Sequence, residues 1–116
     1  MNAREFTKYL ERDYYACVHC GLDDETLVPN HRAGRGMGSV KSRNRPSNIV
    51  VLCSAYNGLI ESSADAAQEA LARGWKIASW QDPTLTPVWY THRNRWMFLD
   101  DEYGSAEALD WPESDV

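Results

Sequence analysis

A small single domain of the α+β class is what this sequence predicts, and three observations carry that expectation. The 116 residues lie near the common domain size and leave no room for a second independent core. Apolar residues recur at helical spacing near the N-terminus and again after Cys53, while elsewhere they gather in short β-branched or aromatic runs of strand length. Gly and Pro cluster between those runs, where chain reversals are needed.

The elements follow in order. Residues 3–15 predict a helix with Asn2 as its N-cap and Glu5 completing a capping-box spacing; Phe6, Leu10 and Tyr14 form its inward stripe. Cys17, Val18, His19, Cys20 and Gly21 make a CxxCG knuckle, a turn in which two thiolates converge and Gly supplies a positive φ. The acidic Asp23, Asp24 and Glu25 read as a solvated turn before a strand through Leu27 and Val28 that delivers Asn30 and His31. From Ala33 to Ser47 the glycines and Pro46 exclude regular structure; GRGMG neither follows a long buried strand nor opens a periodic helix, so it is not a nucleotide fingerprint. Ile49 to Leu52 is a buried strand that Cys53 ends, a helix follows from about Ala55 to Ser62, and Ser63 caps a second helical piece that Arg73 and Gly74 close. The last third is aromatic: residues 87–91 and 95–99 predict a hairpin turning at His92, Arg93 and Asn94, packed over the core, and after Gly104 an acidic frayed tail is expected.

Charge is unevenly spread. Residues 26–60 hold Arg32, Arg35, Lys41, Arg43 and Arg45 and no acid, a local +5 in a chain of net −5, so the remainder carries −10. That asymmetry predicts one phosphate-facing surface on an acidic body, made of those five side chains. Three cysteines are an odd number for a disulfide framework, and neither a membrane span nor an export signal is legible, which predicts a soluble cytoplasmic protein.

The densest chemistry lies in the same basic stretch. His31 is followed after seventeen residues by Asn48, after nine more by Asn57 and after four more by Glu61, and a four-residue spacing puts the last two on one helix face. With Cys17 and Cys20 upstream, this order resembles the HNH endonuclease family, through NHRAGRGMGS, RPSNIVVLC and NGLIES; the likeness is strong from Cys17 to Glu61 and looser to Gly104. The resemblance implies a ββα-metal (His-Me finger) core over about residues 15–75, with an N-terminal helix, an aromatic hairpin at about 86–100 and an acidic tail at 105–116, and it implies that His31 faces the helix of that core. It also implies a divalent-metal-dependent DNA endonuclease, a phage protein of the host cytoplasm linked to terminase-driven genome packaging.

In that family's terms the catalytic residues are His31, Asn48 and Asn57. His31 is the base, since an imidazole can accept a proton near neutral pH; Asn48 positions it or its loop. Asn30, Asn57 and Glu61 match the metal ligands, and their oxygens favour magnesium or manganese. The sequence departs from the commonest pattern: Asn57 stands where many members have His, Asn30 where Asp or His is usual, and Tyr56 where a fourth cysteine would close a zinc site with Cys17, Cys20 and Cys53. Two readings of the thiols therefore stay open, a structural zinc completed by His19 or another group, and three reduced cysteines buried as small apolar groups. The same departures keep a rival alive, a catalytically inactive DNA-binding or phage accessory protein on the same fold; a protein-binding adaptor using the Trp-rich hairpin is a second. Oligomeric state is not legible.

Overall fold

The computed structural model describes residues 1–34, 43–109 and 111. The Asn2 side chain accepts a hydrogen bond from the Glu5 amide at 2.8 Å, and helix α1 runs Ala3–Arg12. It stops short of the expected Tyr15 because Tyr14 and Tyr15 take left-handed backbone angles (φ 63° and 55°) and the Tyr15 amide reaches back to the Leu10 carbonyl at 2.7 Å. The inward stripe shifts accordingly: Tyr9 is fully buried, Phe6 and Leu10 pack beside it, and Tyr14 is exposed.

What draws the chain out of the helix is Asp13. Its carboxylate is buried and accepts from the Arg12 guanidinium at 2.8 and 3.0 Å, from the Val51 amide at 2.9 Å and from the Tyr90 hydroxyl. Arg12 donates further to the carbonyls of Pro46 and Ile49. A buried ion pair with its remaining lone pairs and protons satisfied is the arrangement that low dielectric tolerates.

Strand β1 (Leu27–His31) pairs antiparallel with β2 (Ile49–Cys53), Leu27 opposite Cys53 and His31 opposite Ile49. Every residue of β2 is buried because the pair is covered on both sides: Ile49 and Val51 meet Tyr9 of α1, and Val50 and Leu52 meet Tyr56 and Ile60 of helix α2 (Ser54–Ser62). Helix α3 (Ala64–Arg73) follows directly, with the Ser63 hydroxyl accepting from the Ala66 amide at 3.2 Å. It ends as expected at Gly74, whose φ is 79° and where a Cβ would stand 2.1 Å from the Pro87 carbonyl oxygen, so no larger residue fits.

The aromatic hairpin forms from β3 (Val88–Tyr90) and β4 (Arg95–Leu99), turning over residues 91–94. Its packing is the expected one: Trp75 is 1% exposed and donates its indole N–H to the Trp89 carbonyl at 2.8 Å. Of the tail expected to fray, Ser105–Glu107 forms a strand, and residues 110 and 112–116 lie outside the described residues. Asp100 accepts from the amides of Glu102 and Gly104, and this turn sends β5 (Ser105–Glu107) back along β4. The described residues thus form a small α+β domain with three α-helices and two small antiparallel sheets, of order β1-β2 and β3-β4-β5.

Candidate functional site

Beyond His31 and before β2 the chain crosses the segment that includes residues 35–42, and one side chain ties the two ends of that segment together. The Asn48 oxygen accepts from the Ala33 amide at 2.8 Å, and its amide nitrogen donates to the carbonyls of Ala33 (2.9 Å) and Arg43 (2.7 Å). Asn48 is fully buried, and only a side chain that both donates and accepts can close this neck from one position. The Arg32 amide also donates to the Asn48 carbonyl at 2.7 Å, which fixes the end of β1 against the start of β2.

At that end Asn30 and His31 point to opposite faces, as consecutive strand residues must. Asn30 lies opposite Val50 and is 2% exposed; its amide nitrogen donates to the Trp75 carbonyl at 2.9 Å and its buried oxygen has no partner among the described residues. His31 lies opposite Ile49, on the α1 side. The expectation that His31 faces the helix is therefore corrected: the residue on the α2 face is Asn30. His31 Nε2 meets the Asn44 side-chain oxygen at 2.7 Å. With Asn44 presenting oxygen, Nε2 is the donor, so the neutral ring would keep its lone pair on Nδ1, an assignment that rests on the orientation of the amide.

Asn57 and Glu61 stand one turn apart on α2, Asn57 half-buried and Glu61 exposed. The link between α2 and β1 is a residue that sequence reasoning missed. Lys76 donates from Nζ to the His31 carbonyl at 2.8 Å, burial lowers its pKa, and the Glu61 carboxylate acts in the opposite sense. Nothing in the string Trp75-Lys76-Ile77 distinguishes this lysine from one on a strand surface; the signal is the C-cap at Gly74, which turns the chain back along β1.

The thiols converge. The sulfurs of Cys17, Cys20 and Cys53 all lie within 4.8 Å of one another, with Cys20 and Cys53 at 3.9 Å. Bonds of ~2.3 Å to a tetrahedral zinc place two sulfurs about 3.8 Å apart, so the spacing suits such an ion. Burial pushes the Cys17 thiol up to about 12, while backbone amides of Cys20, Cys53 and His19 directed at it pull the other way. These three cysteines could bind a metal ion. Neither neighbour completes the set: Tyr56 donates its hydroxyl to Glu69 at 2.7 Å, and His19 stacks flat on the Tyr56 ring at 3.5 Å instead of bending toward the sulfurs.

The basic surface is smaller than the sequence implies. Arg32 is 1% exposed; its guanidinium donates to the carbonyls of Gly74, Ser47, Pro83 and Thr86, so it is not available to a phosphate. An arginine at the start of a glycine-rich basic stretch reads as surface, and only the tertiary fold brings four carbonyls around Arg32. Arg45 is half-buried and paired with Asp101 at 2.9 Å and Asp82 at 3.5 Å. Arg43 is half-buried beside the Asn48 neck, and Arg35 and Lys41 lie outside the described residues.

Compared with protein-family models, curated proteins and solved structures, the chain matches none.

Proposed function

We propose that this chain is a divalent-metal-dependent DNA endonuclease of the HNH type. The observation that carries the reading is the Asn48 clasp: a strand ending in His31, a neck closed by one buried amide, a second strand and then a helix bearing Asn57 and Glu61. We read this order as the one that the family resemblance implies for a ββα-metal core. His31 serves as the base through Nδ1, held in that tautomer by Asn44 and kept at the rim by the neck. The donor types suit a hard cation: Asn30, Asn57 and Glu61 offer oxygens, and the buried Asn30 oxygen has no partner among the described residues. Such an ion, when bound, neutralises charge developing on the phosphate and the leaving oxygen. With one carboxylate in the set, these residues would hold magnesium or manganese weakly and would lean on substrate phosphate for further oxygens.

For the thiols we propose zinc, held by Cys17, Cys20 and Cys53 with solvent at the fourth position beside the exposed Cys20. Arg43 and Arg45 are the described members of the proposed DNA contact set; Arg35 and Lys41, which the sequence adds to it, lie outside the described residues. Terminase-linked packaging in a phage-infected cytoplasm is the setting that the sequence resemblance supports; no described helix is long and apolar enough to cross a membrane.

The divergence of Asn30 and His31 onto opposite faces favours a second reading, a DNA-binding or phage accessory protein on the same core without catalysis. Plasmid cleavage by the purified protein separates the two. Conversion to nicked or linear forms in magnesium or manganese, abolished by chelator, is the expected result; cleavage that persists in chelator refutes the metal dependence, and a gel shift with no cleavage under any metal favours the binding role.

A further inference from the structure

The segment that leaves α3 is fastened along the end of β1 by successive hydrogen bonds: Arg32 Nε to Gly74 O at 2.8 Å, Asn30 Nδ2 to Trp75 O at 2.9 Å, Lys76 Nζ to His31 O at 2.8 Å, and Ile77 N to Arg32 O at 3.0 Å. Lys76 is thereby held at His31, half-buried, by backbone it cannot leave without unzipping that seam. An ammonium has three N–H donors, and the His31 carbonyl takes one. Of Asn30, His31, Asn57 and Glu61, only Glu61 carries a formal negative charge, and it is exposed. Of the described basic residues of the loop, Arg32 is withdrawn to carbonyls and Arg45 is engaged by two aspartates, which leaves Arg43.

We infer that the Lys76 ammonium is a phosphate contact at the His31 end of β1, binding a DNA phosphodiester oxygen with the donors that the His31 carbonyl leaves free. The inference deepens the endonuclease reading and rests on it for the choice of DNA. A positive charge fixed by hydrogen bonding beside the base requires no reorganisation when the phosphate arrives. It also accounts for a cation site with a single carboxylate: part of the charge that a phosphate needs is already covalently in place.

The test compares the wild type with Lys76→Gln, Lys76→Met and Lys76→Arg. Gln keeps a donor for the His31 carbonyl and loses the charge, which separates phosphate binding from support of the strand; thermal unfolding checks that each variant is folded. The first readout is the salt dependence of binding to a duplex oligonucleotide, in magnesium-free buffer. Loss of one phosphate contact should flatten the slope of log K against log salt by about 0.9 in the Gln and Met variants, and Arg should restore it. The second is plasmid cleavage, which should fall by ~10²-fold in Gln and Met. If the wild type never cleaves but the slope still flattens, the endonuclease reading fails while Lys76 stands as a phosphate contact. An unchanged slope in folded Lys76→Gln, or no DNA binding by the wild type, overturns the inference whatever the cleavage result.

Discussion

At the scale of single residues, Asp101 shows how the neck is anchored from outside. Its carboxylate accepts from the Ser47 amide at 3.1 Å, from the Ser47 hydroxyl and from Arg45 at 2.9 Å, immediately before Asn48. Burial alone would raise its pKa, but the bonds from Ser47 and Arg45 together outweigh it and bring the pKa below the ordinary carboxylate range. The folded pKa is thus depressed, so the stabilisation is fully present above the unfolded value of ~3.9 and is lost as pH falls through the folded one. The side chain is 38% exposed, so solvent screening holds the effect to about 1 kcal/mol. Asp101→Asn should lower the urea midpoint at pH 7 and lose its disadvantage near pH 2; an equal gap at both pH values would contradict the assignment. Asp101 was not legible as part of the site, because its partners lie more than fifty residues away in sequence. Asn48, by contrast, was legible from its spacing to His31, although the three bonds of its amide were not.

At the scale of elements, turn chemistry carried most of the sequence reading. The N-cap at Asn2, the glycine stop at Gly74 and the hairpin at residues 91–94 form where local residues demand them. The misses share a cause, tertiary demand overriding a local pattern. Asp13 pulls α1 to an early end to reach Val51 and Tyr90, and β5 consists of three exposed residues whose pairing leaves no hydrophobic alternation to detect. The Cys17–Gly21 knuckle and the joint between β2 and α2, where Cys53 Sγ accepts from the Tyr56 amide at 3.4 Å, are elements that the thiols would lock together through zinc. Protein purified without chelator should carry one zinc per chain by elemental analysis, and its removal should lower the unfolding temperature by about 10 °C, as a loss of ~2 kcal/mol would in a domain of this size. Metal-free protein with the same unfolding temperature would mean three reduced cysteines packed as small apolar groups.

At the scale of the whole molecule, the β1-β2 pair is the frame that carries the residues of the proposed site. It is clamped by α1 on one face and by α2 with α3 on the other, and the aromatic sheet is tied to it through Val18, whose amide donates to Val51 O at 3.0 Å and whose carbonyl accepts from Thr91 N at 2.9 Å. The end of the pair carries His31 and Lys76, both half-buried, with Asn48 buried behind them. Sequence spacing placed His31 and Asn48 there; Lys76 needed the seam between β1 and the residues after α3. If His31 is the base of a hydrolytic site, as proposed, its removal must stop cleavage and spare binding. The rate at which His31→Ala cleaves plasmid DNA in magnesium, beside the wild type and with duplex affinity measured on both, should fall by ~10³-fold with affinity nearly unchanged, as removal of a general base requires. Cleavage by His31→Ala at the wild-type rate would contradict that role.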